Sequence, residues 1–223
     1  MKNVAISQLA PKLVVCLVLL ASWHIDRAAA ETTDLKTTTF KISGKVPDMQ
    51  QSTSSSGYTF RIDFREIRYN GQVRRMLIEP KEAGRMTIWV ALRDAVLTID
   101  STEISGGRLG ANCGPLQLVL GNRREVWLAL DVERKSENDE DKFVLKGSRF
   151  GLTHDNWSVG KPAWVQTRGL GMTQTKVVNG LQGGLASNMK GVEQQLIKAA
   201  PQIYAQVETQ LAQHPTAQQV SLK

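Results

Sequence analysis

The sequence has few of the residues that carry nucleophilic or metal chemistry. It contains two cysteines and three histidines in 223 residues. It also lacks a His-Glu-x-x-His zinc motif, a Gly-x-Ser-x-Gly nucleophile elbow and a phosphate-binding P-loop. Two Ser-x-x-Lys strings, at residues 158–161 and 187–190, are not followed by the Lys-Thr-Gly that penicillin-binding enzymes also use. We therefore expect no catalytic residue, no cofactor and no metal site.

The N-terminus has the three parts of a secretory signal peptide. Lys2 and Lys12 supply positive charge, residues 13–23 form an apolar run (LVVCLVLLASW), and small residues follow at Ala28, Ala29 and Ala30. A membrane-spanning helix needs about 20 apolar residues, so the run favours a cleaved signal over an uncleaved anchor. We expect an exported protein, periplasmic or secreted, that begins near Glu31 and has no membrane span after cleavage.

Cleavage there would leave a mildly basic chain with little redox chemistry. Loss of residues 1–30 lowers the formal net charge from +7 to +5, which argues against a nucleic-acid partner. Only Cys113 would remain, so an internal disulfide is excluded. Cys113 is expected to be buried and inert, and a disulfide between two chains is the alternative. The remaining histidines are His154 and His214.

Alternating apolar residues from Tyr58 onward predict antiparallel strands. Asn70-Gly71 predicts a hairpin turn, and Gly121-Asn122 predicts a second one. The alternation changes phase at Arg93-Asp94, where we expect a bulge or a tight turn. Shorter strands are predicted at residues 157–159 and 164–166. Short turns between such runs favour an antiparallel meander over a parallel βαβ sheet.

The C-terminal part changes to helical spacing. Apolar residues recur mainly at steps of three and four, as on one face of an amphipathic helix. Gly180, Gly183, Gly184 and Gly191 weaken its first half, and Pro201 is expected to kink or restart it. If the helix covers a ligand, the stripe residues that would contact it are Leu181, Leu185, Met189, Val192 and Leu196.

The predicted fold class is α+β, mainly β, in which a C-terminal amphipathic helix covers the apolar face of an antiparallel meander. As a pattern, this order of elements resembles the tubular lipid-binding architecture. The predicted segments are a signal peptide (1–30), a flexible lead-in with one short strand and a Ser-rich loop (31–57), a β domain (58–168), a helical segment packed on the sheet (173–213) and a disordered tail (214–223).

Three polar features suggest further sites. The densest basic patch contains Arg65, Arg68, Arg74 and Arg75. An anionic headgroup or polymer would fit it, but arginines that keep the exposed sheet face solvated are the favoured interpretation. The acidic run at 137–141 could hold calcium, but it lacks the EF-hand glycine and the spaced final glutamate, so a solvated hairpin tip is the favoured interpretation. Asn156 lies in an Asn-x-Ser string, which is a glycosylation acceptor in a eukaryotic secretory pathway.

Two functional hypotheses follow from these features. The first is a non-enzymatic cell-envelope protein that binds a lipid or other amphiphile between sheet and helix. The second is a structural or adaptor protein whose helix stripe or sheet edge docks another envelope protein. A hydrolase without a recognisable motif is the weaker alternative.

Overall fold

The computed structural model describes residues 32–35, 39–55, 57–82, 84–121, 124–137, 140–151 and 157–212. The predicted signal peptide, the tail, His154, His214 and Asn156 lie outside these ranges, as do the side chains of residues 136–141. The described strands are β1 (Thr33–Leu35), β2 (Phe40–Val46), β3 (Met49–Ser55), β4 (Tyr58–Pro80), β5 (Arg85–Gly106), β6 (Leu109–Gly114), β7 (Leu116–Leu120), β8 (Val126–Glu137), β9 (Glu140–Phe150), β10 (Trp157–Val159) and β11 (Trp164–Arg168). They are followed by helices α1 (Gln174–Ser187) and α2 (Met189–Ala212).

The strands form one antiparallel sheet built around the long hairpin of β4 and β5. Strands β3, β2 and β1 pair in succession along the outer edge of β4. Strands β6, β7 and β8 pair along the other edge of β5, and β11, β10 and β9 then pair with them in turn. At 3.3 Å per residue, β4 would span roughly 75 Å if it were straight. The predicted mainly β, antiparallel class is confirmed.

The hairpin predicted at Asn70-Gly71 is wrong, because β4 continues through it as one strand of 23 residues. Gly71 pairs with Ile42 on one side, while Asn70 pairs with Val96 on the other. Tyr69 and Val73 both face the core, so the alternation of inward and outward side chains continues across the dipeptide. Hydrogen bonds along both edges and burial of one continuous face therefore outweigh the local turn preference.

The hairpin predicted at Gly121-Asn122 is also wrong. Strands β7 and β8 both pair with β5, so they lie end to end rather than side by side.

The phase change at Arg93-Asp94, in contrast, is a β-bulge as predicted. Asp94 has a φ of +52°, and the β4–β5 register shifts between Asn70 and Gln72. Short strands at 157–159 and 164–168 are confirmed.

The Ser-rich stretch forms strand β3 rather than a loose loop. Its backbone pairs with β4 from Met49↔Phe64 to Ser55↔Tyr58. The low-complexity composition offers little to bury, but β4 presents an open edge of backbone groups that must be hydrogen-bonded. Pairing with a strong neighbouring strand therefore orders a sequence that would not form a strand alone.

The C-terminal segment forms two helices that meet at Asn188. The helix does not restart at Pro201, which lies inside α2. A proline removes one helical hydrogen bond, but Ala199, Ala200 and Ile203 around it are buried and anchor both sides. At Asn188 the backbone leaves helical geometry, with φ of −105° and ψ of +35°.

Helix α2 connects opposite margins of the sheet, since it packs against both β2 and β9. The Gln206 amide oxygen accepts the Ser43 N–H at 3.1 Å, and its nitrogen donates to the Ser43 carbonyl at 3.0 Å. On the β9 side, the Tyr204 hydroxyl donates to the Phe143 carbonyl at 3.0 Å. Burial is the main cause of the raised pKa of Tyr204, so this phenol keeps the proton that it donates. The apolar core is thus enclosed between the curled sheet and α2.

Replacing Gln206 with alanine should lower the free energy of unfolding by about 1–2 kcal/mol, because both hydrogen bonds to Ser43 are lost. Urea unfolding followed by circular dichroism measures this. The control is Gln194→Ala on the exposed side of α2, which should change stability by less than about 0.5 kcal/mol. Equal losses in both variants would contradict a specific role for Gln206.

Candidate ligand-binding cleft

Helix α1 lies over the end of the sheet formed by β3, β4, β5 and β6. Thr173 caps its N-terminus, since its side chain accepts the Lys176 N–H at 3.3 Å. Two glutamine amides then bind carbonyls of the outer strands at 3.0 Å, Gln174 to Val165 and Gln182 to Val159. These bonds hold α1 against β10 and β11.

At its C-terminal end, α1 is linked to the opposite margin of the sheet. The Asn188 amide nitrogen donates to the Gln51 side-chain oxygen on β3 at 2.9 Å. Along the helix, Val177, Leu181 and Leu185 are buried. Helix α1 is therefore anchored to both margins of the sheet, like α2, but by a narrower apolar stripe.

A cleft of about 670 Å³ lies between α1 and the sheet. It is open to solvent on one side rather than enclosed. Its apolar walls include Phe60, Ile62, Ile104, Leu109, Val177 and Leu181. Polar groups of Ser54, Lys176, Asn179 and Ser187 also line it. The cleft therefore combines apolar walls with a few polar groups, as sites for small organic ligands usually do.

Three glycines form part of the helical wall of the cleft. Gly180, Gly183 and Gly184 lie at relative positions i, i+3 and i+4, which places them on one helix face. A Cβ built on Gly180 or Gly183 would meet no atom within 4 Å, so packing does not require glycine at either position. These missing side chains leave open the space that the cleft occupies.

The residues predicted to contact a ligand are divided between the cleft and the core. Leu181 lines the cleft. Leu185, Val192 and Leu196 are no more than 2% exposed, and they pack in the hydrophobic core with the partly buried Met189. The apolar stripe is thus mostly covered by the sheet, and of these five residues Leu181 alone faces this cleft.

The four predicted anion-binding arginines lie on the outer face of β4, away from the cleft. Three form ion pairs with neighbouring strands: Arg65 with Glu103 at 3.0 Å, Arg68 with Asp100 at 2.7 Å, and Arg75 with Asp34 at 2.8 Å. The fourth, Arg74, is exposed at a register shift of β4. A bound anion would have to compete with three carboxylates, and anion binding at this patch stays a prediction.

Other reactive groups are sparse in the part of the chain that the structure describes. Cys113 is fully buried, as expected, and burial raises the pKa of its thiol to about 11. The thiol is therefore neutral and unreactive near pH 7. The described ranges contain no cluster of His, Cys, Asp and Glu that could hold a metal ion. Neither α1 nor α2 is long and apolar enough to cross a membrane.

No protein-family model matches this chain, and no curated protein matches it in sequence. The candidate site therefore depends on its geometry alone. Sequence reasoning treated the glycines of α1 only as helix-weakening residues and so missed their role as a wall. The spacing of these glycines at three and four residues, which puts them on one face of the helix, is the sequence signal that could have predicted this role.

Because Gly180 has room for a side chain and ordinary helical φ, Gly180→Ala should raise the free energy of unfolding by up to about 1 kcal/mol. The matched control is Gly169→Ala. Gly169 has a φ of +96°, and its Cβ would lie 2.7 Å from the Arg108 carbonyl oxygen, so this variant should be destabilised. Thermal unfolding measures both, and destabilisation by Gly180→Ala would show that the glycine wall is required for packing.

Proposed function

We propose that this is an exported, non-enzymatic envelope protein that binds a lipid or other amphiphile in the cleft between α1 and the sheet. The observation that supports it is the open apolar cleft with a wall of glycine backbone. Its volume of about 670 Å³ falls within the range of small-molecule sites. Apolar walls would take the hydrocarbon part of the ligand, and Lys176, Asn179 and Ser187 would face its polar end.

The composition of the cleft argues against catalysis there. Among its lining residues, Lys176 is the only one of the types Asp, Glu, His, Lys and Arg. General acid–base or nucleophilic chemistry needs a second positioned group to accept or deliver a proton. Lys176 donates to the Gly171 carbonyl and Ser187 to the Gly184 carbonyl, so these two do not form a nucleophile–base pair with each other.

The adaptor alternative is favoured by one observation, which is Trp164 on the outer strand β11. Its side chain is 47% exposed, although tryptophan is usually more covered. The helix stripe cannot serve as the partner surface in this fold, because the sheet already buries it. An adaptor would therefore use the β11 edge, and crosslinking combined with light scattering would detect its partner.

Gly180→Phe should reduce uptake of a fluorescent fatty acid by at least about tenfold, because the ring would occupy the empty space beside the helix. The matched control is Ala186→Phe, at an exposed position of α1 that does not line the cleft, and it should bind like the original protein. Lipid mass spectrometry of protein purified without detergent identifies any natural ligand.

Two outcomes would contradict the proposal. One is protein that carries no lipid when isolated and takes up no fatty acid. The other is equal uptake by Gly180→Phe and the original protein while both remain folded, because the ligand would then bind elsewhere.

A further inference from the structure

No residue that lines the cleft is an aspartate or a glutamate. Residues 157–192, which run from β10 through α1 into the first turn of α2, include four lysines and arginines but no aspartate or glutamate. Residues 104–118, around the β5–β6 turn, include only Arg108 among charged residues, and residues 49–60 include none. The opposite end is nearly neutral, since residues 126–150, which include β8 and β9, contain six acidic and five basic residues. The cleft end is therefore the more positive end of the sheet.

An exposed leucine projects from this basic end. Leu170, at the mouth of the cleft, is 99% exposed. It lies between Gly169 and Gly171, whose φ angles of +96° and +86° are strained for other residues. Gly169 packs closely on Arg108 and Leu109 of the β5–β6 turn, and the Lys176 ammonium donates to the Gly171 carbonyl at 3.1 Å. The turn is thus held in place from both sides while its apolar side chain stands in solvent.

Three cationic residues lie close to this leucine. Arg168 is two residues before it, the backbone of Arg108 adjoins Gly169, and Lys176 binds the backbone of Gly171. All three are exposed. Tyr58, on the same cleft, is 52% exposed and adds an amphipathic aromatic ring. An exposed apolar group with cationic neighbours matches the interface of a bilayer that contains anionic lipid, because the apolar group enters the acyl boundary while the cations meet phosphates.

We propose that the Gly169-Leu170-Gly171 turn docks the protein on a bilayer surface containing anionic lipid, so that the mouth of the cleft faces the lipid. This inference rests on the proposed function, since docking there would let an amphiphile pass between bilayer and cleft without crossing water. The nearly neutral β8–β9 end would point away from the anionic surface, and the excess positive charge of the cleft end would orient the molecule.

Flotation of the full chain with vesicles tests the docking. Vesicles of phosphatidylcholine mixed with phosphatidylglycerol should bind the protein, and vesicles of phosphatidylcholine alone should bind it much more weakly. Leu170→Asp should weaken binding to the anionic vesicles by at least about tenfold, because the apolar contact is lost. The matched control is Val144→Asp, an exposed apolar residue on β9, and it should bind like the original protein.

A second pair of variants tests the charges. Arg108→Gln with Arg168→Gln should weaken binding to anionic vesicles by about fivefold per charge and leave fatty-acid uptake in vesicle-free solution unchanged. Arg74→Gln on the outer face of β4 is the control.

Uptake without any vesicle binding would overturn the docking and leave the proposed function standing, whereas no uptake by the original protein would overturn the proposed function itself.

Two further results would overturn the docking. The first is equal binding to both kinds of vesicle, or binding that Leu170→Asp does not weaken. The second is retention of the protein on immobilised polyglutamate without flotation, which would identify an acidic polypeptide as the occupant of this surface.

Discussion

The fold depends on how the two C-terminal helices hydrogen-bond to the outer strands of the sheet. A long open sheet with one apolar face leaves rows of backbone groups at its margins and a large surface to cover. Helix α2 satisfies backbone groups of β2 with Gln206 and of β9 with Tyr204. The same helix buries Val192, Leu196 and Val207 against the sheet. Closure of the core and satisfaction of the outer strands are therefore achieved by the same contacts.

The cleft follows from a difference between the two helices. Helix α1 is anchored by the same kind of amide contact, through Gln174, Gln182 and the adjoining Asn188. It replaces part of its apolar surface with glycines, however, so its anchoring leaves a space instead of a packed core. One end of the molecule is closed and the other is open. The open end is also the basic end, so apolar volume and positive charge lie together.

The sequence predicted the features that depend on a local period, and it failed where distant pairing decides. Alternation identified the antiparallel sheet and the bulge at Asp94. The turn signal at Asn70-Gly71 failed because β4 is paired on both sides there, and the Ser-rich stretch was missed because its order comes from β4. For the site, the apolar stripe predicted Leu181. The cleft, however, depends on the direction in which Gly180 and Gly183 face, and the sequence does not show how α1 is placed on the sheet. The glutamines that hold the outer strands look like solvent-facing residues in sequence.

The central claim is that an amphiphile binds between α1 and the sheet, and photocrosslinking tests it most directly. The full chain would be irradiated with a fatty acid that carries a diazirine on its acyl chain, and the labelled peptides mapped by mass spectrometry. The account predicts labels on β4 near Phe60 and Ile62 and on α1 between Lys176 and Ser187, with competition by unlabelled fatty acid. Labels confined to the outer face of the sheet, around Arg65 and Arg75, would contradict it.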